Sequence, residues 1–209
     1  MEKQIKLDIV KYYKNLLDKG LNIGSEGNLS IKLNDKIFIT PSGINIEDLS
    51  YKKISEVDIN GKILNKIKPS TEIDLHLLIY KKKRNIQAIV HSHSDWCSII
   101  SCMRTNISSF HYMVAEFGGN DIKCSKYARF GSKKLARNVL EACESRRGCL
   151  IANHGQICFG RNIKEAVDLS VALEKLSKQF YFCLLQKNFK TLSKIQMDEV
   201  LKYFKFYKS

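Results

Sequence analysis

The sequence predicts an α/β chain in which helices cover one mixed sheet. Segments with apolar residues at helical spacing alternate with short β-rich runs. Several of those runs are joined by tight polar turns, which places hairpins among the helices. The third observation concerns extent. A chain of 209 residues can bury a large core, and no Pro/Gly/Ser-rich linker, low-complexity stretch or internal repeat divides it. One domain spanning residues 1–209 is therefore expected.

Residues 3–19 carry Ile5, Leu7, Ile9, Val10, Tyr13, Leu16 and Leu17 at helical spacing, and Gly20 stops that helix. A glycine-punctuated loop, Gly24-Ser25-Glu26-Gly27-Asn28, leads into Leu29–Leu33, and Asn34-Asp35 turns the chain back into Lys36–Thr40 as a hairpin. A short helical piece near Ser50–Ile54 and a second hairpin around Asp58–Gly61 follow. Pro69-Ser70-Thr71-Glu72 opens a helix reaching about Lys82. The basic loop Lys81–Asn85 then turns into the apolar strand Ile86–Val90. Asp95–Met103 and Ser132–Glu144 read as helices separated by an irregular segment, Phe110–Asn120. Residues 149–152 and 156–160 read as paired strands. Asn162–Lys187 is a long amphipathic helix, and a last helix covers Gln196–Tyr203.

The bulk properties are those of a soluble globular protein, 44% hydrophobic and 10% aromatic. No run of about 18 apolar residues occurs, so no membrane span is expected, and the N-terminus lacks the apolar stretch of a signal peptide. Seven scattered cysteines without a C-x-x-C pattern fit reduced thiols in the cytoplasm. The formal net charge of +14 reads either as attraction of anions, nucleic acid or a phosphorylated metabolite, or as a lysine-rich surface with little specific meaning. Its lysines are spread along the chain, not gathered with aromatics, and no nucleic-acid motif appears, so nucleic acid is not expected as a partner.

The chemistry gathers around Val90-His91-Ser92-His93-Ser94. In a strand, side chains i and i+2 share a face roughly 6–7 Å apart. Two imidazoles so placed can bind one metal ion at about 2.0–2.1 Å per Zn–N bond. An H-x-H pair alone is also common as plain polar residues at a strand end. His154, in Ala152-Asn153-His154-Gly155 just past another apolar run, adds a third imidazole. Three strand-end histidines with a nearby carboxylate make the ligand set of a catalytic zinc or a related divalent ion.

Three small-residue turns, Gly27-Asn28, Ser42-Gly43 and Ser70-Thr71, can offer N–H groups and hydroxyls to a phosphate. Singly, each is also ordinary turn chemistry or helix capping. Glu72 directly follows the third, and helix geometry would put its carboxylate near that phosphate as a general acid/base. His76, four residues on in an apolar stretch, reads as a packed helix histidine. His111 has no evident partner.

Taken together, Gly27-Asn28-Leu29-Ser30, Thr40-Pro41-Ser42-Gly43, Pro69-Ser70-Thr71-Glu72, Val90-His91-Ser92-His93 and Asn153-His154-Gly155 resemble the class II aldolase/adducin-head family in order and spacing. The resemblance runs from about residue 5 to Tyr207. Within the family it is nearest to the L-fuculose-phosphate aldolases, through His111-Tyr112-Met113, Gly118-Gly119-Asn120 and Cys124-x-x-Tyr127-Ala128-x-Phe130-Gly131. Ser42 departs from the threonine more usual there but keeps the hydroxyl.

The resemblance implies a single-domain three-layer α/β/α sandwich around a largely antiparallel mixed sheet. It implies a homotetramer of C4 symmetry with sites between subunits. One Zn²⁺ per subunit, or another divalent ion, would be held by His91, His93 and His154, with Glu72 as a fourth ligand until substrate displaces it. Gly27, Asn28, Ser42, Gly43, Ser70 and Thr71 would hold the phosphate of a phosphorylated sugar. Glu72 would move the proton, and Tyr112 and Tyr207 from the neighbouring subunit would face the aldehyde. The implied reaction is reversible cleavage of L-fuculose 1-phosphate, or a related ketose 1-phosphate, to dihydroxyacetone phosphate and L-lactaldehyde. Family alternatives are a sugar-phosphate 4-epimerase or a methylthioribulose-1-phosphate dehydratase; the similar epimerases carry Asp where this chain has Glu72. A non-catalytic adducin-head-like module would have lost the ligand set that is present here.

Overall fold

The computed structural model describes residues 1–186 and 188–207, with side chains up to Phe204. The chain opens with α1 (Glu2–Asp18), which buries Ile9, Tyr13 and Leu16. Gly20 ends it at φ +67°, with Leu21 N–H donating to Leu16 O and Gly20 N–H to Leu17 O, both at 2.8 Å. That is a Schellman termination, and it needs the left-handed conformation that glycine adopts without strain. β1 (Asn28–Leu33) and β2 (Lys36–Ile39) form the expected hairpin around Asn34. β3 (Ser55–Asp58) follows, but the second expected hairpin keeps only one bridge, Val57 to Ile63, on its return arm. Ile63 and Leu64 are substantially exposed, so that arm has little apolar burial to hold it in register.

α2 runs from Ile73 to Lys82, three residues shorter at its start than Ser70 as first residue would require. Ser70 Oγ accepts from Glu72 N–H at 3.3 Å, and Ser70 O accepts from Ile73 N–H at 3.1 Å. Residues 70–72 therefore form a tight turn before the helix, and Glu72 is the residue preceding it, with no side-chain cap. β4 (Ala88–Ser92) is buried at all five positions. α3 (Asp95–Cys102) and α4 (Lys133–Ala142) flank an irregular segment containing a 3₁₀ stretch, Tyr112–Phe117. β5 (Gly148–Ile151), β6 (Gly155–Gly160), α5 (Ile163–Gln186) and α6 (Lys194–Tyr207) complete the described chain.

The six strands order as β3-β2-β1-β4-β6-β5, every pairing antiparallel. Only an isolated bridge between Cys124 and Leu150 is parallel among the described residues. α2 and α4 close one face over Ile37, Ile39, Ile89, Ile157 and Phe159. α1, α3 and α5 close the other over Leu29, Phe38, Ala88, Val90, Leu150 and Cys158. This is the three-layer α/β/α arrangement. β4 is central and covered on both faces, which is why its first three residues, Ala88, Ile89 and Val90, are apolar without alternation. No helix among the described residues is long and apolar enough to cross a membrane.

Candidate active site

Side-chain parity along β4 aims the first histidine. Ile89 packs under α2 and α4, so His91, two residues on, faces the same layer and meets the start of α2. His93 lies one residue beyond the end of β4. His154 sits in the turn between β5 and β6, where Asn153 takes φ +54°, a conformation asparagine tolerates better than most side chains. The backbones pack closely there. A Cβ at Gly155 would collide with Ser92 O, so glycine lets this turn lie against the end of β4.

These elements bring Glu72, His91, His93 and His154 together, one ligand atom from each lying within 4.8 Å of all the others. His91 Nε2 is 3.0 Å from both His93 Nε2 and Glu72 Oε2, and His154 Nε2 is 3.8 Å from Glu72 Oε1. The three rings meet edge to face at centroid distances of 4.7–4.8 Å. His91 Nδ1–H donates to Gln156 O at 2.7 Å. That fixes the ring and leaves Nε2 pointing into the cluster, as a carbonyl behind a metal-ligating histidine does.

Burial opposes ionisation of Glu72, but the His91 imidazole, His154 and the Asn28 amide outweigh it and hold the carboxyl far below its usual range. Burial, then the charges of His91 and His154, pushes His93 down to about 3; burial, then His91, pushes His154 down to about 4. Both stay neutral donors near pH 7. Burial also opposes the charge on His91, yet the Glu72 carboxylate beside it raises its pKa. Glu72 Oε1 is buried without a hydrogen-bond partner. An anion with an unpartnered oxygen facing converging imidazole nitrogens is a donor set suited to a divalent cation.

The cluster opens onto a cavity of about 560 Å³ lined by Gly27, Asn28, Ser42, Gly43, Ser70 and Thr71 together with Glu72, His93 and His154. All three small-residue turns thus reach one cavity. The bridge between Pro41 and Pro69 holds the second and third side by side, and Tyr13 OH anchors the first by donating to Glu26 O at 2.6 Å. Gly27, at φ +66°, has no room for a Cβ, which would lie 2.5 Å from His91 O and 2.6 Å from Asn22 Oδ1. Asn28 is only 3% exposed, and its Nδ2 donates to Glu72 Oε2 at 3.0 Å.

Tyr112 lies elsewhere. It is 51% exposed and lines a separate apolar cavity with Met113, Tyr203 and Phe204. Tyr207 ends α6, and its side chain lies outside the described residues. His111 has a partner that its sequence context did not reveal, its Nδ1 accepting from Met113 N–H at 3.1 Å to cap the 3₁₀ stretch. His76 is fully buried as expected.

Tyr127, Ala128 and Phe130, part of the motif that carried the nearer resemblance, line the cavity. Asn22 and Glu174 carried no sequence signal of their own. Asn22 Oδ1 accepts from His93 N–H at 3.4 Å. Glu174, far along on α5, accepts from Ser94 Oγ and from the N–H groups of Trp96 and Cys97 at 2.6–3.0 Å. It thereby caps α3 immediately after His93. A larger cavity, about 750 Å³, is lined by Lys83, Arg84, Arg146, Arg147 and Arg161 and accounts for part of the basic charge.

The profile of the family described as Class II Aldolase and Adducin N-terminal domain matches residues 7–181. The chain is 40% identical over 188 residues to the 5-methylthioribulose-1-phosphate/5-deoxyribulose-1-phosphate aldolase of Rhodospirillum rubrum, covering 90% of this chain and 85% of that one. It is 35% identical over 189 residues to the L-fuculose phosphate aldolase of Escherichia coli, covering 90% and 88%. A solved L-fuculose 1-phosphate aldolase superposes with a TM-score of 0.93 at 32% identity, covering 97% of this chain and 96% of the other.

Proposed function

The chain belongs to the class II aldolase and adducin N-terminal domain family, and on that premise we propose that it is a divalent-metal-dependent aldolase of ketose 1-phosphates. It would split L-fuculose 1-phosphate, or a related ketose 1-phosphate, reversibly into dihydroxyacetone phosphate and an aldehyde, L-lactaldehyde in the first case. The observation that carries this reading is the Glu72, His91, His93 and His154 cluster opening onto the same cavity as the three small-residue turns.

A divalent cation, zinc in our reading, would be held by His91, His93 and His154, with Glu72 as a fourth ligand until substrate displaces it, and would supply Lewis acidity at the substrate oxygens. Gly27, Asn28, Ser42, Gly43, Ser70 and Thr71 bind the phosphate through turn N–H groups, hydroxyls and the Asn28 amide. Glu72 moves the proton at the carbon of the dihydroxyacetone phosphate half, and Oε1 is the oxygen with no hydrogen-bond partner to give up. His91 is kept in orientation by Gln156 O.

The aldehyde end needs a proton donor. Tyr112 and Tyr207 of a neighbouring subunit fill that role, Tyr112 protonating the developing alkoxide, in a homo-oligomer we take to be a C4 tetramer. Tyr112 is exposed and lines a different cavity from the one that holds Glu72 and the histidines, which supports this. Free cysteines fit a cytoplasmic enzyme. The relative at 40% identity favours a second substrate, a 5-deoxy-pentulose 1-phosphate, which shares the dihydroxyacetone phosphate half and differs only in the aldehyde.

The test is release of dihydroxyacetone phosphate from a panel of L-fuculose 1-phosphate, 5-deoxyribulose 1-phosphate, 5-methylthioribulose 1-phosphate and pentulose 5-phosphates, with metal content measured on the same sample. Cleavage of at least one ketose 1-phosphate is expected. Exclusive epimerisation of a pentulose 5-phosphate would replace this reading with the epimerase one.

A further inference from the structure

His76 lies one helical turn beyond Glu72, is fully buried, and has partners on both ring nitrogens. Its Nε2 is 2.5 Å from Asn28 Oδ1, and its Nδ1 is 2.6 Å from Ser30 Oγ. Asn28 in turn gives Nδ2 to Glu72 Oε2 at 3.0 Å. Tyr80 closes the far end, its OH 2.8 Å from Ser30 Oγ and 3.1 Å from Ser30 O. Four side chains from β1 and α2 therefore form one buried row that ends on the carboxylate.

The direction of every hydrogen bond in that row follows from the carboxylate. An ionised carboxylate only accepts, so the Asn28 atom facing it is the NH₂ group. The other end of the amide, Oδ1, also only accepts, so His76 must donate to it from Nε2. A neutral imidazole protonated at Nε2 has a bare Nδ1, which accepts from Ser30 Oγ–H, and Ser30 Oγ is left to accept from Tyr80 OH. Burial keeps His76 neutral, with its pKa down to about 3, and raises that of Tyr80, which stays a donor. Each group has one role, and reversing the Asn28 amide would set acceptor against acceptor at Glu72 and donor against donor at His76.

We propose that His76 is a positioning residue for Glu72. Acting through Asn28, it holds Oε2 in place and leaves Oε1 as the oxygen that exchanges a proton. The proposal rests on the aldolase reading for what Glu72 does, but not for how Glu72 is held. Removing the His76 donor frees the Asn28 amide to turn and the carboxylate to swing. Groups behind a metal ligand typically change affinity or activity about 10–100-fold when removed.

The experiment compares His76→Leu, His76→Gln and His76→Asn with wild type. A glutamine amide reaches the place of Nε2 and can still donate to Asn28 Oδ1. The shorter asparagine amide reaches only the Nδ1 end, toward Ser30. Three quantities are measured: cobalt(II) affinity of the apoprotein, inorganic phosphate affinity, and kcat on the ketose 1-phosphate that wild type cleaves. His76→Leu and His76→Asn should lose about tenfold or more in cobalt affinity and in kcat. Phosphate affinity should fall with them, because the Asn28 amide that His76 holds is also a phosphate donor, and His76→Gln should recover most of all three losses. Long-range ¹H–¹⁵N correlation of the wild-type imidazoles should show His76 as the neutral Nε2–H tautomer. The Nδ1–H tautomer, or equal cobalt affinities in folded His76→Gln and His76→Asn, would overturn the proposal. If His76→Leu does not fold, the other two variants decide. Wild-type turnover tests the aldolase reading separately, since tautomer and cobalt affinity judge His76 whether or not turnover is seen.

Discussion

Glu72→Gln removes the base while keeping the shape of the side chain, and the surroundings of Glu72 determine how the glutamine will sit. Asn28 Nδ2 donates to Oε2 at 3.0 Å, so the new carbonyl oxygen will take that place and the NH₂ group will take the place of Oε1. Oε1 accepts no hydrogen bond and lies 3.8 Å from His154 Nε2, so the amide displaces no hydrogen-bond donor there. The fold and the phosphate turns should survive. What is lost is the negative charge 3.0 Å from His91 Nε2 and the oxygen that accepts a proton. Loss of a general acid/base lowers kcat by about 10²–10⁴, equivalent to about 3–5 kcal/mol at 1.36 kcal/mol per decade. The assay is steady-state cleavage at saturating metal, with metal content measured and an enediolate mimic bearing a phosphate titrated by calorimetry. The mimic should still bind. A kcat within a few-fold of wild type, with metal bound, would show that another group moves the proton.

Chelation should abolish activity, with zinc, cobalt or manganese restoring part of it, and His91→Ala should purify with little bound metal; full activity in a stripped sample would refute the metal site. Tyr112→Phe should lose rate while keeping metal and phosphate binding, and His93→Ala should lose metal. Co-assembled oligomers of the two, verified by mass spectrometry, should regain activity above the sum of the parents, and inactivity in verified mixtures would remove Tyr112 from the neighbour's site. Gly27→Ala places a Cβ 2.5 Å from His91 O at φ +66°, so a stability loss of about 1–3 kcal/mol and weaker phosphate binding are expected, read by denaturant unfolding and calorimetry. Burial opposes the charge on Glu56, but Lys6 and Lys36 outweigh it and lower its pKa from 4.5. A depressed carboxylate contributes stability above the unfolded value and loses it as pH falls through the folded one. The Tm gap between wild type and Glu56→Gln should therefore shrink from pH 7 to pH 3, and a constant gap would refute the pairing.

The elements of this fold were legible because their causes are local. Gly20 ends α1 through its own backbone and its neighbours. The Asn34 turn joins two β-rich runs that are neighbours in the chain, and α5 carries its apolar stripe within one stretch. Where local signal and tertiary burial part company, the sequence misleads: Asp58–Gly61 turns as expected, but an exposed return arm keeps only one bridge. The Pro69–Glu72 stretch carries capping residues, yet Ser70 bonds Glu72 N–H, and the helix waits until Ile73.

The chemistry of the site divides in the same way. The sequence by itself determined which residue types were available: two imidazoles flanking one strand position, a third after an apolar run, one carboxylate beside a hydroxyl-bearing turn, and an order of motifs that identifies a family. Spacing alone reached His91 and His93. Only the tertiary structure decided that His154 meets them, since the β5–β6 turn reaches β4 through antiparallel pairing of strands more than 60 residues apart in the chain. Only it gave His76 a partner in Asn28, 48 residues away, and His93 the support of Asn22, 71 residues away. It also set Tyr112 apart from the cavity of its own chain. Hydrogen bonds and ligand sets are made between atoms about 3 Å apart, and a single sequence states the distance along the chain, not the distance across the fold.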